Sequence, residues 1–210
     1  LCSSERRRGT CIRPHGSGMR DLLPYARMPH IQIILASTRE GRVGDKSAAW
    51  VAEKAKTHTD FTSELVDLRD WPLPHFNDPK LPGAGEYSYD YTRKWSEKVS
   101  QAQGYIMVTC EYNHGYPGVL KNALDHLYKE WNGKPVAFVS YGGVAGGTRA
   151  VEQLHQVVNE LRMVSIHDEV NIPFIWSAFD ANGKLTQEEL HAGRLEKLFL
   201  ELADKLKRLA

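Results

Sequence analysis

The chain has 210 residues, 41% of them hydrophobic and 25% charged, with 27 Lys plus Arg against 26 Asp plus Glu. That composition describes one globular domain, with or without a tail. A net charge of +1 gives no field to draw it onto nucleic acid or an anionic membrane, and no run approaches the ~20 apolar residues needed to span a bilayer. Of the cysteines, Cys2 and Cys11 lie near the start and the body carries only Cys110, which builds no disulfide framework and fits a reducing cytoplasm.

Residues 1–27 show no helical or strand period. They carry Arg6, Arg7, Arg8, Arg13, Arg20 and Arg27 among Gly and Pro. An Arg-rich targeting peptide is one reading, and an artefact of the start site with Met28 as the natural start is the other; no apolar stretch follows that would make a secretory signal. The domain is expected over residues 28–210. Its elements then follow in order. Ile31 to Ala36 is a short β-branched strand, Lys46 to Lys56 a helix, and Phe61 to Leu68 a second strand. Pro72, Pro74, Pro79 and Pro82 forbid regular structure across a long loop. Tyr89 to Gln103 reads as a helix, Tyr105 to Thr109 as a strand, and Val119 to Tyr128 as a helix. Pro135 to Ser140 is a fourth strand, Arg149 to Leu161 a helix, and Val164 to Val170 a fifth strand. Thr186-Gln-Glu-Glu189 reads as a capping box opening the last helix.

Apolar strands alternating with amphipathic helices require a parallel sheet covered on both faces. Five strands in one short domain favour the five-stranded doubly wound order 2-1-3-4-5 over the six-stranded dinucleotide fold, and ligands of such sheets bind outside the carboxyl ends of the strands. Three loops lie there. The first, Ser37 to Ser47, runs into a helix N-terminus with Ser37, Thr38, Arg39, Arg42 and Ser47 as donors; a phosphate site and a solvated turn are the two readings. It is no nucleoside-triphosphate loop, because Asp45 precedes Lys46 where glycine is required, and only Gly41 and Gly44 are present for a dinucleotide fingerprint. The second, Thr109 to Gly118, offers the flat faces of Tyr112 and Tyr116 and the polar Asn113, suited to a planar heterocycle or else an ordinary turn stiffened by Pro117. The third, Tyr141 to Thr148, holds four glycines, which permit close backbone approach. Nine histidines show no metal-binding spacing. His126 reads as a packing histidine, Asp180 to Leu185 as a turn rather than a calcium loop, and the chain lacks the Gly-x-Ser-x-Gly of a serine hydrolase.

Taken together, Ala36-Ser-Thr-Arg-Glu-Gly-Arg-Val-Gly44, Glu111-Tyr-Asn-His-Gly-Tyr-Pro-Gly-Val-Leu-Lys-Asn-Ala-Leu-Asp125 and Tyr141-Gly-Gly-Val-Ala-Gly-Gly147 resemble the NADPH-dependent FMN reductase family of flavodoxin-like proteins. The resemblance runs from Met28 to about Pro173, and the middle stretch is the specific one. It implies a flavodoxin-like three-layer sandwich. It also implies an FMN-dependent oxidoreductase that passes hydride from NADPH or NADH to a small acceptor: a free flavin, a quinone, an azo compound or a metal ion. By the same resemblance, Ser37, Arg39, Arg42 and Gly44 would hold the FMN phosphate, with Thr38 and Val43 in the same loop. Glu111, Tyr112 and Asn113 would edge the ring and ribityl chain, and Tyr141, Gly142 and Gly143 would meet the pyrimidine end. Cys110 stands where many members have Pro, and places a thiol at the rim, either inert or oxidisable. The bound cofactor carries such chemistry, in keeping with the lack of a catalytic triad in these motifs.

A flavodoxin-type electron carrier and a non-enzymatic flavin-binding module are the rival readings; carriers of this type are strongly acidic, and this chain is neutral. Self-association as a dimer or tetramer is expected from the family. It is also expected from the aromatic residues Trp71, Phe76, Tyr87, Tyr89, Tyr91 and Trp95, since aromatics are enriched in interface cores; the alternative is that they cap the sheet.

Overall fold

The computed structural model describes residues 28–209. The expected N-terminal extension, 1–27, lies outside the described residues. Strands β1 (His30–Leu35), β2 (Thr62–Asp67), β3 (Gly104–Cys110) and β4 (Pro135–Tyr141) are joined by helices α1 (Gly44–Lys56), α2 (Asp90–Ser100) and α3 (Gly118–Asp125). After β4 come α4 (Thr148–Glu160), two short strands β5 (Val164–Ser165) and β6 (Val170–Ile172), and α5 (Glu188–Leu209). All strand pairs are parallel and the order is β2-β1-β3-β4-β5, with β6 also on β4. This is the flavodoxin-like order expected.

The three central strands are apolar on both faces because helices cover both. Ile31, Ile33 and Leu35 join Ile106, Val108, Ala137 and Val139 in a core packed under α1 and α5. The alternate residues Ile34, Tyr105, Met107, Val136 and Phe138 pack under α2, α3 and α4. That is the period of two that a strand imposes.

Two expectations need correction. The fifth strand is not continuous from Val164 to Val170. Between β5 and β6 the carboxylate of Glu201 on α5 accepts the N–H groups of His167 and Asp168, at 3.1 and 3.0 Å, and so takes them from the ladder. No capping box forms at Thr186 either. Its hydroxyl donates to the carbonyl of Ala178 at 3.1 Å, and the helix begins at Glu188.

The Pro-broken loop is irregular as expected, and side chains of α3 hold it. Asn122 accepts from the Phe76 N–H and donates to the Pro74 carbonyl, both at 2.8 Å. His126, fully buried, joins Thr92 to that carbonyl, as a packing histidine does. The aromatic residues there are largely used internally: Trp95 is buried against Trp71 and Trp131, and Tyr87 donates to Glu130. Phe76 and Tyr89 remain exposed, with Leu81 beside them in the loop. Trp71, Tyr87 and Trp95 thus serve the chain's own packing, while Phe76 and Tyr89 do not.

Candidate FMN site

The first loop is built by arginines that face inward. Arg42 has a side chain only 3% exposed. Its Nε donates to Asp45 at 2.9 Å, its Nη1 to Asp67 at 2.7 Å and to the Ser37 carbonyl, and its Nη2 to both carboxylates. All five guanidinium N–H groups are thereby engaged. Arg69 donates to the carbonyls of Thr38 and Arg39. In a trans peptide the N–H points opposite to the carbonyl. Holding these carbonyls on one side therefore turns the N–H groups of Thr38, Arg39 and Glu40 to the other. Between Thr38 and Asp45 only the Arg42 N–H meets an acceptor among the described residues, the Arg39 carbonyl at 3.2 Å. Helix α1 starts at this point with Val43 at its cap and no side-chain cap. The result is a row of open donors at the positive end of a helix, which suits an anion. Arg39 is the exposed cation of the loop, resting on the carbonyls of Glu40 and Gly41 at 3.1 and 3.4 Å.

The second loop turns tightly. Tyr112 and Gly115 exchange backbone hydrogen bonds at 2.8 and 3.0 Å, and Asn113 and His114 between them both have positive φ, as a type I′ turn requires. Asn113 therefore sits exposed at the tip. Glu111 points the other way. Its carboxylate accepts from Arg149 Nε at 2.7 Å and from the Arg149 backbone N–H at 3.2 Å, at the start of α4. Cys110 is buried beneath the loop. Burial pushes its thiol up, although hydrogen bonds to Tyr112 and Tyr141 work against the rise. That favours the inert reading of this residue over the oxidisable one.

The third loop supplies a buried phenol. Tyr141 shares a 2.7 Å hydrogen bond with the Ser37 hydroxyl, and burial drives its ionisation upward. Gly44 is required beside it, because a Cβ there would lie 2.1 Å from the Tyr141 oxygen.

These loops meet. Arg39, Arg42 and Val43 from the first, Cys110, Glu111 and Tyr112 from the second, and Tyr141, Gly142 and Gly143 from the third line one open cleft of about 100 Å³. Ser37 and Gly44 lie buried behind Tyr141, and Thr38 stands at the loop's start. Ile175 and Trp176 complete the lining, and the sequence reading missed them. The signal was available: an aromatic residue just past Pro173, at the carboxyl end of a strand. A larger hollow, about 1060 Å³, lies among His30, Gln103, Pro135 and Leu206. That is the amino end of the sheet, the wrong end for a doubly wound ligand site.

Residues 29–177 match the family described as NADPH-dependent FMN reductase. The chain belongs to that family. An NAD(P)H-dependent FMN reductase of Schizosaccharomyces pombe is 41% identical over 182 residues, spanning 83% of this chain and 89% of its own. A 2-hydroxy-1,4-benzoquinone reductase of Burkholderia sp is 30% identical over 181 residues, spanning 76% and 86%. Among solved structures, the flavoenzyme NAD(P)H:(acceptor) oxidoreductase FerB of Paracoccus denitrificans superposes with a TM-score of 0.68 over 86% of this chain and 98% of its own, at 24% identity; that likeness shows the fold. This FMN reductase family member is therefore an enzyme, an NAD(P)H-dependent oxidoreductase with FMN as cofactor and small molecules as acceptors. Among the described residues no helix is long and apolar enough to cross a membrane.

Proposed function

We propose that the cleft at the carboxyl ends of β1, β3 and β4 holds FMN, with the phosphate on the Thr38–Gly44 loop and the ring between Tyr112 and Gly142–Gly143. The observation that carries this is the row of outward N–H groups at the uncapped start of α1, next to a slot walled by glycine and tyrosine. The donor set fits a phosphate dianion, and the slot fits an aromatic edge. Arg39 is the phosphate anchor in this reading. Arg42 is the internal strut, since a phosphate would have to displace two carboxylates from it.

FMN supplies the hydride chemistry when bound. The protein's part is to bind and orient. The helix start and Arg39 fix one end, and Gly142 and Gly143 let the backbone come close. Tyr141 is a neutral phenol whose ionisation burial pushes further up, so it can donate or accept a hydrogen bond without adding charge. The acceptors in this reading are quinones, free flavins, azo compounds or metal ions, with quinones favoured by the named activity of the Burkholderia relative. The reading extends to a cytoplasmic location, on the strength of a body whose one cysteine is a buried thiol. It also extends to self-association as a dimer or tetramer through the exposed Phe76, Leu81 and Tyr89, which light scattering would measure as a multiple of the monomer mass.

The test is direct. Purified protein should carry or take up FMN and show flavin absorbance. NADPH or NADH should bleach that absorbance anaerobically, and added quinone should restore it. A protein that takes up no FMN sinks the reading. One whose colour neither pyridine nucleotide bleaches is a carrier instead.

A further inference from the structure

Trp176 is the anomaly of the site. It is 76% exposed, although burying an indole is among the most favourable things a fold can do with one. Nor is it on a loose segment. The Phe174 N–H donates to the Gly143 carbonyl at 2.9 Å, and the Ile175 N–H to the Gly142 carbonyl at 3.0 Å. Ser177 closes the turn with its N–H on the Phe174 carbonyl at 2.9 Å. Ile175 is buried and anchors the turn from below, and Phe174 adopts φ 48° to make it. Backbone bonds thus tie the segment that carries the indole to the loop that walls the cleft. Its six-membered ring lies beside Gly143, where a Cβ would sit 3.9 Å from it. Tyr112, 41% exposed, stands on the same cleft. The one carboxylate in the lining, Glu111, is turned away onto Arg149.

We propose that Trp176 is the specificity-determining residue for the electron acceptor: its free face stacks planar aromatic acceptors of the quinone class. This rests on the FMN reading of the cleft and adds the residue that selects the substrate. A ring presented on rigid backbone loses little freedom when another ring stacks on it, so the contact acts on affinity for flat acceptors. It contributes little to compact inorganic ones. The overall reaction is balanced by what the enzyme takes up: the hydride of NAD(P)H and one solvent proton convert a quinone to its hydroquinone and leave NAD(P)+. With ferricyanide, two ions each take one electron and one proton is released.

The experiment compares wild type, Trp176→Ala and Trp176→Phe as FMN-loaded protein. In the first arm, 1,4-naphthoquinone is titrated calorimetrically into oxidised protein with no reductant present. Trp176→Ala should weaken Kd about tenfold, and Trp176→Phe should recover most of it. In the second arm, the ratio of kcat/KM for 1,4-naphthoquinone to that for ferricyanide should fall by a similar factor in Trp176→Ala. An unchanged Kd, or an equal loss with both acceptors, overturns the proposal. So does a change of mass in light scattering, which would make the indole a contact between copies of the chain. Wild-type protein that takes up no FMN is a different failure: it removes the reading of the cleft and this inference with it.

Discussion

Helices α1 and α4 each begin where a strand of the sheet ends, and their first turns are treated in opposite ways. In α4 the N–H groups of the first four helical residues have partners: Thr148 bonds the Ala145 carbonyl, Ala150 and Val151 bond Gly147, and Arg149 bonds the carboxylate of Glu111. In α1 the cap is a valine with nothing to offer, and the N–H groups of Val43, Gly44 and Asp45 meet no acceptor among the described residues. Both ends carry the same helix dipole. One meets a carboxylate of the protein itself; the other keeps its first donors open, which suits an anion. Local sequence did not separate them, since both loops are rich in glycine. What separates them is the company each keeps. Arg42 and Arg69 draw the carbonyls of the first loop inward, while Glu111 fills the second.

Removing Arg42 should break this contrast most severely. Arg42→Ala strands Asp67 and lets the Ser37 carbonyl go. Breaking a buried pair costs about 3–5 kcal/mol, here toward the lower end because Asp45 is half-exposed. A melting temperature lower by roughly 6–12 °C is expected for a chain of this size. The same pair gives a pH signature. Burial alone would raise the Asp67 carboxyl, but hydrogen bonds from Arg42 and the Arg69 N–H hold it below the usual carboxylate range. A carboxyl depressed in the folded state stabilises above its unfolded value, and that stability is lost as pH falls below about 4. Acid melts of the wild type should show this loss, and Arg42→Ala should show less of it.

Arg39→Ala should leave the melting temperature alone, because the side chain is exposed, and weaken FMN roughly ten- to hundredfold by losing a charge-assisted bond of about 1.5–3 kcal/mol. Riboflavin, lacking the phosphate, should bind as before, and Arg39→Lys should recover only part of the loss. Titration of apo-protein with both ligands decides it; equal weakening of both would remove Arg39 from the phosphate. Glu111→Gln should cost about 1–2 kcal/mol of stability through the lost ionic bond to Arg149, read by urea denaturation. Its effect on FMN should be smaller than that of Arg39→Ala. Least of all, deleting residues 1–27 should change neither flavin content nor melting temperature, as their lack of periodicity implies; a drop of many degrees would show that they pack on the domain.

How far the chain could be read without its structure depended on distance. The alternation of strand and helix followed from local pattern, because each apolar strand and the helix after it lie within one stretch, and the count of five strands then chose the sheet order β2-β1-β3-β4-β5. The three loops were legible as site loops because strand ends are where ligands go. What escaped depended on remote partners. The break in the fifth strand comes from Glu201, 33 positions beyond Asp168. The role of Arg42 is set by Asp67, 25 positions away, and nothing in the first loop announces it. Thr186 matched a capping pattern, yet Ala178 claims its hydroxyl. Trp176 was passed over because its neighbours form no motif, although its position past a strand end was signal enough.

The hydroxyl of Tyr141 fills the space where residue 44 would carry its first side-chain carbon, 2.1 Å away. The two positions are therefore not free to vary separately. A methyl at 44 could be accommodated only if the residue at 141 gave up its oxygen or its ring, and Ser37 would then lose its partner. A Gly44→Ala variant should therefore keep its fold only when the tyrosine at 141 is replaced as well, as in a Gly44→Ala, Tyr141→Ala pair.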